Sequence, residues 1–385
     1  MHFSWSAEQI ALRDAVRDFA RSCLSEINHV TTDANGLSRA HWRACAGFGI
    51  QGLPIPEQYG GSGRDALTAV LALETLGAAW PDQGLLLSIQ AHIWSVEMPI
   101  LRFGTDEQRR RVLPRMCDGS WVGAIAVTEP ESGSDALALN TRAERRGDRY
   151  VINGSKTLVT NAPDADLFLV FATIDRTKGL WGVTAFLVER GTRGLTVGKP
   201  IDTLGLSTSP IADVYFDDCE LPVENVLGQE GQGAAIFNYT MAWERSCILA
   251  GTVGAMDRQL EACLQYVKTR RQFGKLIGDF QLIATKIVDM KLRLDTARLL
   301  LYRAAWSLAR GDQNVAEGAA AKLYISEAAV RSALDAIQVH GGHGYTRELS
   351  AERELRDAVG SRLYAGTSEI QRLIIARSLG LSPGV

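Results

Sequence analysis

A lone carboxylate in an apolar helical stripe is where this sequence first points to chemistry. On a 3.6-residue wheel, Glu244 shares its face with Phe237, Thr240, Met241, Cys247, Ile248 and Gly251. All of these are apolar, small or hydroxyl-bearing. Desolvation there favours the neutral carboxyl and lifts its pKa toward neutrality, the condition a general acid or base needs. An ion pair to a basic residue on a neighbouring helix would also fit the stripe, and the pattern alone does not choose between them.

Two other segments carry ligand-binding chemistry. Val127-Thr128-Glu129-Pro130-Glu131-Ser132-Gly133-Ser134-Asp135 follows a strand-like run and packs hydroxyls and small residues into a tight loop. It reads either as a set of donors for an acceptor-rich ligand or as an elaborate polar turn. Gln338-Val339-His340-Gly341-Gly342-His343-Gly344-Tyr345 ends a helical pattern with glycines. That ending suits close approach to a phosphate, and equally a glycine cap. Gly228-Gln229-Glu230-Gly231-Gln232-Gly233 has neither the spacing nor the βαβ setting of a dinucleotide fingerprint. Walker A and GxSxG patterns are missing, which argues against a P-loop protein or an α/β-hydrolase.

The elements that must position these groups change in texture along the chain. The first segment reads as helices, with Glu8, Leu12, Val16 and Phe19 at helical spacing and apolar patterns over 64–76 and 86–103. Short strand-like runs follow at 122–127, 150–153, 167–172, 183–188 and 214–216, separated by turn signals such as Asn153-Gly154. Long helical patterns then cover 234–270, 281–310 and 315–339, with a shorter one beyond Thr367. The expected class is α+β: an N-terminal helical domain over 1–120, a middle antiparallel β-barrel or sandwich over 121–232, and a C-terminal four-helix bundle over 233–385.

Composition narrows the partners. The 385 residues are 46% hydrophobic and 22% charged, enough apolar material for two or three lobes. With 41 basic against 44 acidic residues there is no field to condense on a phosphate backbone, so nucleic acid is not an expected partner. No apolar run approaches the roughly 18 residues of a membrane span. Met1-His2-Phe3-Ser4-Trp5 lacks the pattern of a signal peptide. The cysteines form no CxxC pair and the histidines no zinc spacing, so the expectation is a cytoplasmic protein with no metal and no membrane partner.

The sequence resembles the acyl-CoA dehydrogenase flavoprotein family over nearly its whole length. The resemblance rests on Ala126-Val127-Thr128-Glu129 through Ser132-Gly133-Ser134-Asp135, on Thr269-Arg270-Arg271-Gln272-Phe273-Gly274-Lys275 with Gln281, and on Gln338 through Tyr345 to Arg353 and Asp357. It implies FAD bound across a subunit interface of a homotetramer. Carried over by position, Val127, Thr128, Gly133, Ser134, Leu158 and Thr160 would lie on the flavin side. Arg270, Phe273, Gln281, Gln338, Gly341, Gly342, Thr367 and Glu369 would hold the pyrophosphate and adenosine parts, some from a neighbouring subunit. The thioester would lie beside Trp243, Arg245, Tyr364 and Gly366. The implied reaction removes the α proton with a carboxylate, while the β hydrogen leaves as hydride to the flavin.

The departures are informative. The common base of the family is the Glu of a Tyr-Glu-Gly-Thr segment, which here reads Tyr364-Ala365-Gly366-Thr367. A branch resembling isovaleryl-CoA dehydrogenase puts the Glu on the helix within a Glu-Arg pair, and this chain has Trp243-Glu244-Arg245 there. The resemblance therefore makes Glu244 the base. Leu158 replaces a Trp common beside the flavin, an Arg is missing around Leu206-Ser207-Thr208, and Glu369 stands where Gln is common.

In motif the chain is most similar to the prolyl-carrier-protein dehydrogenases of pyrrole-containing natural products. These act on L-proline tethered to a phosphopantetheinyl carrier protein. The bulky Trp243 stands where CoA users carry an Asp, which fits a carrier-tethered substrate or simple packing. Arg109–Arg111 or Arg145–Arg146 would dock an acidic carrier. Three readings compete: a carrier-tethered acyl or prolyl dehydrogenase, a short or branched-chain acyl-CoA dehydrogenase of catabolism, and a flavin monooxygenase on the same fold. Either an electron-transferring flavoprotein or oxygen would accept the electrons.

Overall fold

Side-chain caps start the N-terminal helices. Ser6, Ser38, Asp65, Asp82 and Thr105 each accept a hydrogen bond from the backbone N–H three residues on, satisfying donors that a helix start leaves unpaired. The structure, a computed structural model, describes residues 4–25, 36–312 and 315–382. The helices of this region are α1 (Ala7–Phe19), α2 (Arg39–Phe48), α3 (Ala66–Ala79), α4 (Gln83–His92), α5 (Met98–Phe103) and α6 (Asp106–Cys117). A π turn, Ile93–Glu97, joins α4 to α5. The run Gln83–Phe103 is thus one kinked helix of 21 residues, apolar enough by length and composition to cross a membrane, although its most apolar stretch is 94% buried within the protein. This corrects the expectation that no apolar run approaches that length.

The strands are β1 (Gly123–Ala126), β2 (Arg142–Arg146), β3 (Arg149–Thr160), β4 (Leu167–Thr173), β5 (Val183–Glu189), β6 (Leu195–Val197), β7 (Ile211–Pro222) and β8 (Val226–Leu227). They form one sheet in the order β6-β7-β3-β2-β4-β5-β8, with β1 pairing β4. Pairing is antiparallel as expected except for β1 with β4 and one β2–β4 contact, which are parallel, so the sheet is mixed. Strand β4 reads as a continuous apolar run because both of its faces are covered. Leu167, Leu169 and Phe171 join the helical core, while Phe168, Val170 and Ala172 join a second core inside the curled sheet. Strand β3 slips register against β7 between Lys156 and Val159, which places Leu158 in a bulge.

The C-terminal helices are α7 (Gly233–Cys247), α8 (Ala250–Val267), α9 (Gln281–Ala309), α10 (Val315–His340), α11 (Ala351–Gly360) and α12 (Ser368–Ser378). The long pattern expected over 234–270 is two helices, broken at Ile248-Leu249. In consequence Gly251 leaves the Glu244 face and packs on Gln90 and Leu86 of α4. Helices α3 and α8 cross closely because glycines meet there. A Cβ on Gly77 would overlap the backbone of Gly251, and one on Gly254 the carbonyl of Glu74. Backbone cannot yield as a side chain does. Gly77→Ala is therefore expected to lower the unfolding free energy by about 1–3 kcal/mol, read as a lower urea midpoint with an unchanged slope.

Candidate active site

Helix α7 carries Phe237, Met241 and Glu244 down one face, and this face forms a wall of a cavity of about 860 Å³ between the sheet and the helices. Leu87, Ala91 and Ser95 line it from the kinked helix at intervals of four. The 128–137 loop, the Thr157–Thr160 end of β3, the Thr203–Leu206 loop and Tyr364–Thr367 close it. Glu244 is 5% exposed. Burial pushes its carboxyl up to about 7, against the opposing pull of the Ser95 hydroxyl bond and the charges of Arg245 and Lys322. Ser95 Oγ donates to Glu244 Oε1. Among the described residues no direct ion pair neutralises the carboxylate, the alternative that the sequence pattern left open; Arg245 and Lys322 act on it through space.

Lys322 is fully buried and donates to the Gly366 carbonyl at 2.7 Å. Burial, together with the nearby Arg245 charge, holds its ammonium down at about 8, against the stabilising charge of Glu244. Gln371 Nε2 donates to the carbonyls of Ala365 (3.0 Å) and Gly366 (2.8 Å). These two side chains hold the 364–367 turn, in which Ala365 has φ 54°. Leu158 (φ 55°) and Leu206 (φ 57°) also line the cavity in left-handed conformations. Each such non-glycine residue costs on the order of 1–3 kcal/mol and persists only where its surroundings enforce it. For Leu206 the enforcing group is Asp357, whose Oδ1 accepts from the Leu206 N–H at 2.6 Å.

The 127–135 loop is built on a buried ion pair. Lys156 Nζ donates to Glu129 Oε1 at 2.7 Å and to the Val127 carbonyl at 3.0 Å, and both side chains are almost fully buried. The N–H groups of Asn140 and Thr141 complete the Glu129 carboxylate at 2.6 and 3.0 Å. Burial opposes the Glu129 charge, but Lys156 and Thr141 outweigh it and hold the carboxyl below its ordinary value. The sequence motif marks the loop but not the Glu129–Lys156 pair as its support, and it marks neither Lys322 and Gln371 under the 364–367 turn nor Ser95 beside Glu244. The signal for Lys322 was present: one lysine inside the run Gly318-Ala319-Ala320-Ala321-Lys322-Leu323.

The expected site residues divide into two groups. Val127, Thr128, Gly133, Ser134, Leu158, Thr160, Glu244, Arg245, Tyr364, Gly366 and Thr367 all line the cavity. Arg270, Phe273, Gln281, Gln338, Gly341, Gly342 and Glu369 do not, and they are exposed. Lys322 and His340 lie on one straight helix, 18 residues or about 27 Å apart. Gly341 and Gly342 thus lie far from the cavity, at the end where His340 packs on Tyr266, whose carbonyl accepts from the Arg270 N–H just before a two-stranded hairpin of Arg271–Gln272 and Lys275–Leu276. Trp243 also lies off the cavity. It stacks on Trp94 at 5.6 Å and leans on Tyr239, the packing role that the sequence left open beside a substrate contact. The proposed docking arginines are largely paired: Arg109 with Asp106, Arg111 with Glu189, Arg145 with Glu230 and Arg146 with Glu144.

The cavity fits part of a flavin. Its apolar walls, rimmed by the Thr128, Ser134 and Thr160 hydroxyls, suit a flat heteroaromatic ring. Its basic lining residues are Arg245 and Arg356. The buried Nε of Arg245 has no hydrogen-bond partner among the described residues, and Arg356 is bonded to Glu352 and the Leu204 carbonyl. A pyrophosphate needs more than this, and Arg270 lies elsewhere.

Three family models match in series: Acyl-CoA dehydrogenase, N-terminal domain, over residues 6–120; middle domain, over 124–219; and C-terminal domain, over 231–380. The chain belongs to the acyl-CoA dehydrogenase family. It is 44% identical over 341 residues to an L-prolyl-[peptidyl-carrier protein] dehydrogenase of Pseudomonas fluorescens, covering 88% of this chain and 90% of that protein. Its fold matches the crystal structure of the prolyl acyl carrier protein oxidase AnaB with a TM-score of 0.96 and 46% identity, over 98% of this chain and 100% of that one. The FAD complex of PigA matches with a TM-score of 0.96 and 41% identity, over 99% and 100%.

Removing one member of the Glu129–Lys156 pair leaves a buried charge uncompensated. Lys156→Met is expected to cost about 3–5 kcal/mol in urea unfolding and to release flavin on gel filtration.

Proposed function

We propose that the protein is an FAD-dependent dehydrogenase of an aminoacyl thioester, L-prolyl carried on a phosphopantetheinyl carrier protein, with Glu244 as the base. The observation that carries this reading is the position of Glu244. It is a desolvated carboxylate on the cavity wall, poised near neutrality, opposite a turn whose usual family carboxylate is Ala365. The similarity to proteins named for prolyl carrier substrates supports the choice of thioester. When bound, FAD supplies the hydride acceptor.

The chain's own residues do the rest. Glu244 takes the α proton, and Ser95 keeps one of its oxygens oriented. Lys322 and Gln371 hold the 364–367 turn by its carbonyls, which fixes the backbone around Ala365 against the cavity. Val127, Thr128, Gly133, Ser134, Leu158 and Thr160 would hold the flavin ring. Flat apolar walls exclude water from the proton transfer and strengthen each electrostatic contact inside.

The same proposal includes a homotetramer in which a neighbouring subunit's Arg270, Phe273, Gln281, Gln338, Gly341 and Gly342 complete the cofactor site. Two observations support it. The basic groups lining the cavity among the described residues are too few for a pyrophosphate, and α9 exposes Leu292, Leu299 and Trp306 at intervals of seven, while Phe273, ahead of that helix, is 93% exposed. An exposed apolar seam of that kind fits helix-on-helix association.

Glu244→Gln is expected to retain FAD but to slow anaerobic bleaching at 450 nm by L-prolyl-carrier protein about 10²–10⁴-fold. Unchanged bleaching would reject the base. Bleaching of the wild type by isovaleryl-CoA and not by the prolyl carrier would move the protein to CoA ester catabolism.

The pH dependence follows from the raised carboxyl. Only the deprotonated form accepts a proton, so wild-type bleaching should fall as pH drops below about 7 and level off above it. A stopped-flow series from pH 5.5 to 9 reads this midpoint directly, with both protein and flavin checked for integrity at each pH.

A further inference from the structure

Among the described residues, Ser95 is the one cavity-lining group bonded to Glu244 that comes from outside its helix. It sits within the π turn Ile93–Glu97. A π turn adds one residue per turn, which shifts the face that follows it. Leu87, Ala91 and Ser95 share the cavity face, whereas His92 and Glu97, five apart across the π turn, point away from it into the protein. There His92 Nε2 lies 3.3 Å from Glu97 Oε1, both side chains fully buried, and the Gly123 N–H donates to His92 Nδ1 at 2.9 Å. These contacts pin the turn that presents the Ser95 hydroxyl.

The hydroxyl has one proton and two lone pairs. Its proton is committed to Glu244 Oε1, and no second partner for Ser95 Oγ exists among the described residues. What remains to offer a ligand is acceptor capacity alone. A hydroxyl touching the carboxylate that takes the α proton is also close to whatever else the α carbon bears. In an aminoacyl thioester that substituent is an N–H group. A plain acyl chain leaves the lone pairs buried and unmatched, which is costly.

We propose that Ser95 is a positioning and specificity residue: it orients Glu244 by donating to it and accepts a hydrogen bond from the α-nitrogen of the substrate, so that aminoacyl thioesters are preferred over acyl thioesters. The specificity half rests on the prolyl reading above; the positioning half does not. Arg245 on α7 and Lys322 on α10 also act on Glu244 electrostatically, Glu244 in turn acts on the Tyr364 hydroxyl, and all three groups are unchanged in the variants below.

The test compares holoenzymes of wild type, Ser95→Ala, Ser95→Cys and Ser95→Thr. Anaerobic bleaching is followed with L-prolyl-carrier protein and with the cyclopentanecarbonyl-carrier protein, which has the same ring size and no N–H. Wild type and Ser95→Thr should prefer the prolyl substrate. Ser95→Ala should lose about tenfold to a hundredfold of that preference in kcat/KM. Its rate–pH midpoint should also move up by about one unit or more with either substrate, because the carboxylate loses its donor. Ser95→Cys, close in size but a weak donor, should show the same changes in smaller degree and serves if the alanine variant does not fold. Preference and midpoint both unchanged in Ser95→Ala, or in Ser95→Cys where that variant stands in, would overturn the proposal. An unmoved preference with a shifted midpoint rejects the contact to nitrogen alone. If the wild type bleaches only with a CoA ester, the prolyl reading fails and the specificity half with it, while the midpoint on that ester still decides the positioning half.

Discussion

The structure around the site is organised by the cost of keeping one carboxylate out of water. Glu244 cannot be fully solvated where it can reach a substrate, and a direct ion pair would spend its basicity. The protein meets both constraints at a distance: one hydroxyl bond from Ser95 and two through-space charges, Arg245 and Lys322. The result is a group near neutrality, able to exist as a base and to receive a proton. Lys322 donates to the Gly366 carbonyl and acts on Glu244 only through space. The same lysine thus fixes a backbone turn and contributes to the field.

That arrangement depends on backbone held in conformations it would not choose. Leu158, Leu206 and Ala365 each sit in left-handed geometry around one cavity. Each is held by a different device: the β3 bulge, the Asp357 carboxylate, and the Lys322 and Gln371 side chains. Strain gathered at one site and offset by buried polar contacts elsewhere is what a pre-organised pocket requires. The Glu129–Lys156 pair does the same for the 127–135 loop. It is a buried ion pair of the kind that contributes little net stability yet is costly to break on one side.

Much of the fold was legible because its signals are local. Strand runs at 167–172 and 183–188 and helices at 281–310 and 315–339 fell where the pattern put them, within a few residues. The short strands β2, β6 and β8 escaped. Arg142–Arg146 carries mostly charged residues, and its strand state comes from pairing with β3 rather than from its own preference. The break at Ile248-Leu249 was hidden inside a continuous helical pattern. The membrane-length apolar run at 83–103 was overlooked because buried polar residues, among them Gln90, His92, Ser95 and Glu97, interrupt it.

By itself the sequence determined the chemistry available: a carboxylate in an apolar stripe at 244, an alanine at 365, and motifs at 126–135, 269–275 and 338–345 that mark the family. These are properties of residue type and spacing, and they survive without coordinates. Only the tertiary structure decided which of them act together. It brought Glu244 and Ser95 from positions far apart in the chain into one cavity with the Lys322 charge behind them, sent Trp243 into packing with Trp94, and left Arg270 and Gly341 at the far end of the bundle. The physical reason is that desolvation and through-space charge depend on what surrounds a group in three dimensions. A single helix wheel reports only the face that its own helix presents.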